Sequence, residues 1–274
     1  MSIRLRIMQQ ADLAFANELR QIAGWNQTLN DWRRFLSLSP DGCFIVEWNG
    51  EAAGTATTTC YGQDLAWIGM VLVHPDFRRR GLGQALLEHC IHHLREVKKI
   101  RCIKLDATPD GQALYEKLGF SAEWGLKRWL GQGGGHTDNP PHDELNEQAL
   151  ELDRAVFAAD RSQLLDSLMP DGLASRVLDD GSYGLMRPGM AATYLGAFIA
   201  ASESSGLSIA RELIHCAPQK NIFWDLPDAN KAAIQLAEKL QFEAKRDLLR
   251  MYLGDNSPAG NPLGMFGLAE PGLG

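Results

Sequence analysis

Apolar and polar residues alternate along this chain with two periods, and each change of period marks a new element. Ile3–Met8 alternates residue by residue and predicts a strand. Ala11–Ile22 and Leu29–Leu38 carry apolar residues at helical spacing, with Thr28 or Asn30 available as caps. Cys43–Trp48 and Glu51–Tyr61 flank Asn49-Gly50, a pair that supplies the positive φ angles of a tight hairpin turn. Leu65–Val73 predicts a buried strand. His74-Pro75-Asp76 stops it, because Pro75 has no ladder donor and biases His74 towards extended backbone. Helical spacing resumes over Leu82–Glu96. Ile100–Ala107 predicts a strand, Gln112–Leu118 a short helix stopped by Gly119, and Phe120–Leu130 a closing strand.

The second half repeats this order in outline. Leu145–Phe157 and Ser162–Met169 read as helices, and Ser175–Leu178 and Tyr183–Met186 flank the turn Asp179-Asp180-Gly181-Ser182. Ala191–Ile199 predicts a strand, Gly206-Leu207-Ser208 opens a helix to His215, and Asn221–Leu226, Ala229–Leu240 and Phe242–Leu253 follow as strand, helix, strand. Lys239-Leu240-Gln241-Phe242 mirrors Lys117-Leu118-Gly119-Phe120, and Arg250 follows Phe242 at the interval by which Arg128 follows Phe120. Between the halves lies GQGGGHTDNPP (Gly131–Pro141), whose glycines and prolines read as a linker. The expected division is 1–131, a linker over 132–144, a second domain over 145–254, and a Gly- and Pro-rich tail over 255–274, read either as a loose end or as a strand added to a sheet.

A chain of 274 residues, 45% hydrophobic and 22% charged, suffices for two globular cores. No basic, apolar-cored leader follows Met1 and no apolar run approaches a membrane span, so the expected location is cytoplasmic. The five cysteines lie mostly within apolar patterns, never as CxxC, and read as buried reduced thiols. The net charge of −7 is uneven: 16 Lys and Arg against 14 Asp and Glu up to Gly135, but 11 against 20 beyond it. An acidic second half argues against nucleic acid and suits either plain solubility or a cationic substrate.

The segment MVLVHPDFRRRGLGQALL (Met70–Leu87) carries the chemistry. A strand, then three arginines with Gly81 and Gly83, then a helix start build an anion site, since loop N–H groups and the positive helix end converge on one spot. Arg78, Gly81 and Gly83 fit the pattern Arg/Gln-x-x-Gly-x-Gly/Ala. The segment thereby resembles the acetyl-coenzyme A motif of the GCN5-related N-acetyltransferases (GNAT). The order of elements over about residues 1–131 and Ala113-Leu114-Tyr115-Glu116-Lys117-Leu118-Gly119-Phe120 resemble that family too; Asp110 stands where the family usually has Asn. The resemblance implies an α/β fold with a mixed sheet, here as tandem acyl-coenzyme A N-acyltransferase (GNAT) folds. It implies acetyl-coenzyme A as co-substrate, no metal, an amine acceptor, and direct transfer without a covalent enzyme intermediate. The second half reads as a degenerate copy, with Glu203-Ser204-Ser205 in place of Arg78-Arg79-Arg80 and Ala237 in place of Tyr115.

By that resemblance, loop amides from Arg79 to Gln84 (Arg79, Arg80, Gly81, Leu82, Gly83, Gln84) hold the pyrophosphate, with charge from Arg78, Arg79 or Arg80. The backbone of Val71, Leu72 and Val73 pairs with the pantetheine arm and polarises the acetyl carbonyl. Tyr115 is the expected general acid and Asp106 the expected base, with His74 or a water relay as the alternatives. Trp25 and Trp32 are candidates for substrate contact among seven tryptophans otherwise read as core. His89, His92 and His93 share helical spacing without a carboxylate to complete a metal motif, and read as a solvated face. The expected acceptor is a small-molecule amine, with no membrane or nucleic-acid partner. The rival readings are acetylation of a protein N-terminus or lysine, and a non-catalytic acyl-coenzyme A sensor.

Overall fold

The computed structural model describes residues 2–135, 139–218 and 220–274. Its first half runs β1 (Ile3–Ile7), α1 (Leu13–Ile22), α2 (Leu29–Leu38), β2 (Cys43–Trp48), β3 (Glu51–Tyr61), β4 (Leu65–Val73), α3 (Leu82–His92), β5 (Cys102–Ala107), α4 (Pro109–Lys117) and β6 (Ser121–Gln132). The second runs α5 (Glu147–Phe157), α6 (Ser162–Leu168), β7 (Ala174–Val177), β8 (Tyr183–Arg187), β9 (Thr193–Ile199), α7 (Glu203–Cys216), β10 (Asn221–Pro227), α8 (Lys231–Lys239), β11 (Glu243–Gly254) and β12 (Met265–Gly267). Local chemistry sets several boundaries. The Thr28 side chain accepts the Asp31 N–H while the Asp31 carboxylate accepts the Thr28 N–H, a capping box that opens α2. Asn146 and Ser202 cap α5 and α7 in the same sense.

All the strands join one mixed sheet in the order β1-β2-β3-β4-β5-β11-β6-β10-β9-β8-β7, with β12 paired to β9 off this path. The order shows that the halves exchange their last strands. β11, from the second half, lies between β5 and β6, and β6, from the first, lies between β11 and β10. The side chains behind the sheet form three main apolar groups. One packs α3 and α4 on β2–β5, one packs α7 and α8 on β8–β10, and one gathers α1, α2, α5, α6 and the C-terminal residues across the middle.

Two gaps in this sheet position the functional regions. β4 and β5 are parallel but pair only from Leu65↔Cys102 to Trp67↔Lys104, which leaves the rest of β4 without a strand partner on that edge. β9 and β10 likewise pair only from Thr193↔Ile222 to Leu195↔Trp224. In the second half the tail fills the gap. Met265 and Gly267 pair with Ile199 and Phe198, the Trp224 Nε1–H donates to the Phe266 carbonyl, and the Leu268 N–H donates to the Asp225 carbonyl. The tail is thus a strand added to the sheet. It then crosses to the first half, where the Trp67 Nε1–H donates to the Pro271 carbonyl at 3.2 Å and the Tyr61 hydroxyl to the Leu273 carbonyl at 2.6 Å. Gly69 on β4 permits this approach, since a Cβ there would come within 2.7 Å of Gly272 backbone.

Other differences from the sequence expectations have simple causes. Gly206 lies inside α7 and does not open it, because Ser202 supplies the cap four residues earlier. α3 ends at His92 and continues as a wider π turn over His93–Val97. Residues 136–138 of the expected linker lie outside the described residues. The preceding Gly133, Gly134 and Gly135 donate their N–H groups to Lys220, Ile214 and Ala217, so this end of the connection is fastened to the second half. Trp32 is fully buried in the core against Phe35, whereas Trp25 lines the cleft described below. His89 and His93 pack their rings on Phe44, with His93 buried, so these two do not share a solvated face. All five cysteines are free, and no helix among the described residues is long and apolar enough to cross a membrane.

Candidate active site

The loop after β4 takes the shape that its glycines and arginines predict. Arg79 and Gly81 both have left-handed backbone, at φ +60° and +79°, so the chain curls twice before α3 begins. Gly81 caps the helix, and the first bond of that helix is Ala85 N–H to the Gly81 carbonyl. Helix geometry leaves the N–H groups of Leu82, Gly83 and Gln84 without intrahelical acceptors, at the positive end of the helix. A Cβ at Gly81 would meet nothing within 4 Å, and one at Gly83 only Val73 at 3.8 Å, so space stands open over these amides. Arg78 Nε donates to the Val73 carbonyl at 3.3 Å and Arg80 Nη2 to the Asp76 carbonyl at 3.0 Å, while Arg80 also lies over the Trp48 ring. The guanidinium groups are exposed around the loop. An open, amide-lined concavity with basic side chains on its rim fits a pyrophosphate, and a free strand edge beside it fits an extended amide-bearing arm.

That free edge is β4 beyond Trp67. A bulge displaces the chain at Met70, whose backbone is left-handed at φ +51°; its carbonyl accepts the Thr55 hydroxyl at 2.9 Å. Bulges re-aim the backbone that they interrupt. Val71 follows at the cleft wall, with Leu72 buried and Val73 half-buried. The cleft occupies about 690 Å³, open to solvent, between Ile68–Val71 on one side and Leu105, Asp106, Thr108 and Tyr115 on the other. Trp25, Gln27, Arg128, Arg246, Leu248, Pro271 and Gly272 complete it.

Tyr115 reaches the cleft from α4, with its ring edge-on to Phe120. Its hydroxyl has no hydrogen-bond partner among the described residues, and burial pushes its pKa up to about 12. The phenol therefore keeps its proton through the neutral range as a weaker acid than an exposed tyrosine, and no competing partner engages that proton.

Asp106 also lines the cleft, but both of its oxygens are taken. Arg250 Nε donates to Oδ1 at 2.8 Å and Arg250 Nη2 to Oδ2 at 2.9 Å. The Arg250 guanidinium is stacked between Trp67 and Trp124 at 4.4 and 4.1 Å from the ring centroids. Burial raises the Asp106 carboxyl and the adjoining Arg250 charge opposes the rise. Protonating Asp106 would leave a buried guanidinium without its counter-charge. His74 caps the 3₁₀ turn Pro75–Phe77 by accepting the Asp76 N–H at 3.3 Å, and does not line the cleft.

A smaller cavity of about 240 Å³ adjoins the cleft through Gln27 and Arg128 and reaches Glu270 on the tail. Glu270 is buried with one long contact, 3.5 Å from Gln27 Nε2. Burial, reinforced by Asp31, raises its carboxyl to about 7, while Arg187 and Arg34 oppose the rise. The sequence pointed to none of Gln27, Arg246 or Glu270. The matched spacing of Arg128 and Arg250, by contrast, becomes interpretable once the last strands are known to exchange.

In the counterpart region of the second half the tail strand pairs along β9, where β4 keeps a free edge. Phe266 of the tail covers α7 at Gly206, where a Cβ would come within 2.4 Å of the ring. The matching loop carries Glu203, and the residue matching Tyr115, Ala237, is buried in the core.

Residues 7–120 match the family model described as the acetyltransferase (GNAT) family, and residues 149–267 match a model described as an acetyltransferase (GNAT) domain. Holothin acyltransferase of Pseudoalteromonas sp. (strain SANK 73390) is 24% identical over 250 residues, covering 87% of this chain and 83% of that protein. Ribosomal protein bS18-alanine N-acetyltransferase of Escherichia coli (strain K12) is 32% identical over 123 residues, or 42% of this chain and 78% of that one. Among solved structures, a Pyrococcus horikoshii protein assigned to the acetyltransferases superposes with a TM-score of 0.85 at 20% identity, covering 99% of this chain and 96% of that one. A tandem GNAT protein from the clavulanic acid biosynthesis pathway superposes with a TM-score of 0.63 at 15% identity, covering 92% and 98%. Likeness at these identities speaks to the fold.

Proposed function

Because this chain belongs to the GCN5-related N-acetyltransferase superfamily as a two-domain member, and is an acyl-coenzyme A-dependent N-acyltransferase, we propose that its first half moves an acetyl group from acetyl-coenzyme A directly to a small-molecule amine. The observation that carries this reading is the free edge of β4, with the amide-lined loop at one end and Tyr115 across the cleft from it. Bound there, acetyl-coenzyme A supplies the thioester carbonyl and a thiolate leaving group.

The residues divide the work by position. Amides of Arg79–Gln84 hold the phosphates, and the helix end and the three arginines add positive potential. The β4 backbone at Val71–Val73 orients the arm, and an N–H there polarises the acyl carbonyl. Tyr115 gives its proton to the departing sulfur, a role suited to a hydroxyl that stays protonated and has no competing partner. Asp106 is held in its ion pair and is assigned to positioning β5 at the cleft, so the amine loses its proton through cleft water. Trp25, Pro271 and Gly272 narrow the acceptor end, which supports a small acceptor over a polypeptide segment.

The test is calorimetry with acetyl-coenzyme A, followed by thiol release in the presence of amines. One bound acetyl-coenzyme A per chain and amine-dependent thiol release are expected. Two equivalent sites would contradict the assignment to one half, and binding without release would favour the sensor reading.

A further inference from the structure

The cleft carries a positive charge once its ion pairs are accounted for. Asp106 ends on Arg250, and Arg128 ends on Asp225 through Nε at 2.8 Å and Nη2 at 2.6 Å. The Tyr194 hydroxyl also donates to Asp225, at 2.8 Å, so that carboxylate is fully engaged. Tyr115 is neutral. The remaining charged residue of the cleft wall is Arg246, which has no hydrogen bond or ion pair among the described residues.

The backbone places this arginine deliberately. β11 bulges between Ala244 and Arg246, leaving Lys245 out of register, and the bulge sets Arg246 directly opposite Arg128 on β6. Like charges facing each other across two strands destabilise the pair. Asp225 hydrogen-bonds only one of the two guanidinium groups. Arg246 is exposed at the cleft rim; desolvation first and the charge of Arg128 second act against its charge, and Asp225 opposes them. A second anion would complete an alternating arrangement of two arginines and two carboxylates.

We propose that Arg246 receives a carboxylate carried by the acceptor, so that the substrate of the first half is an amine that also bears a carboxylate. This rests on the acetyl-transfer reading of the cleft given above. The guanidinium fork matches a carboxylate with two parallel hydrogen bonds, which fixes orientation as well as charge. A single unpaired cation balances one carboxylate, whereas a phosphate dianion would leave excess negative charge. Held at β11, the acceptor lies between its carboxylate anchor and Tyr115, with its amine towards the thioester. Because Arg246 arrives on an exchanged strand, the half without a coenzyme loop contributes the specificity residue of the half that has one.

The experiment compares thiol release from acetyl-coenzyme A with matched amines: alanine, phenylalanine and 4-aminobutyrate against ethylamine, phenethylamine and propylamine. In the wild type, kcat/KM for at least one carboxylate-bearing member should exceed that of its partner by tenfold or more. Arg246→Gln should bring the ratio close to one, Arg246→Lys should retain part of it, and Arg246→Glu should bring it below one. Acetyl-coenzyme A affinity, measured separately, reports whether each variant is folded. A wild type without the preference, or an Arg246→Gln enzyme that keeps it, overturns the proposal. Thiol release with none of the six amines contradicts the acetyl-transfer reading and removes this proposal with it.

Discussion

Arg250, from the last strand of the second half, holds both carboxylate oxygens of Asp106 in the first half, at 2.8 and 2.9 Å. Arg128 and Asp225 form the same pair in the opposite sense, with the arginine from the first half and the carboxylate from the second. Each pair is buried and crosses the boundary at which β6 and β11 exchange. The repeat in sequence thus appears in three dimensions as a reciprocal fastening. Neither half completes its own sheet, and the carboxylates of Asp106 and Asp225 are each neutralised by an arginine from the other half.

Removing one member of the Asp106–Arg250 pair should therefore cost far more than an exposed ion pair would. Arg250→Gln leaves a buried carboxylate unmatched and takes away a guanidinium stacked between Trp67 and Trp124, so a loss of about 3–5 kcal/mol is expected. Asp106→Asn combined with Arg250→Gln should recover part of that loss, because no unpaired charge remains. Urea denaturation of the two single variants and the double variant measures the coupling. Additive losses would contradict the pairing.

Gly83→Val probes the loop without straining it. Gly83 lies in the first turn of α3, where a Cβ meets only Val73 at 3.8 Å, so the substitution is compatible with the fold. The added side chain should crowd the phosphates. Acetyl-coenzyme A affinity should fall at least tenfold in calorimetry, with Tm close to wild type. Unchanged affinity in a folded variant would remove the loop from the binding site.

Much of this was legible along the chain. β2, β3, β4 and α2 coincide with the hydrophobic pattern because caps and the Asn49-Gly50 turn fix their ends locally. The loop at Gly81 was legible for the same reason: its glycines, arginines and helix start are contiguous. What escaped the sequence was non-local. Phe242 and Phe120 open matching strands, yet nothing in their spacing says that those strands trade places. The tail has no periodicity over Gly254–Gly274, although Gly69, Trp67 and Trp224 are shaped to receive it. The ion pair of Asp106 could not be read along the chain, because Arg250 lies 144 residues away.

Glu270 gives the protein a predicted pH dependence. Its carboxyl is raised to about 7 in the fold from an ordinary 4.5, so below 4.5 both folded and unfolded chains hold the proton and nothing is lost. Between 4.5 and 7 the unfolded chain ionises while the native chain resists, so stability declines through that window, by on the order of 1–3 kcal/mol. Glu270→Gln keeps the shape and cannot ionise. Its Tm relative to wild type should rise from pH 4.5 to pH 7 and level off above. A difference that stays flat across that range would contradict burial of this carboxyl.

Tyr115→Phe tests the central claim most directly, because it deletes one proton and keeps the ring against Phe120. The measurement is single-turnover thiol release from acetyl-coenzyme A, with an amine that the wild type accepts, alongside a separate titration of acetyl-coenzyme A binding. If the Tyr115 phenol protonates the departing thiolate, the chemical step should slow by about 10²–10⁴-fold while affinity stays within a few-fold. Transfer at the wild-type rate by the folded Tyr115→Phe protein would contradict the account.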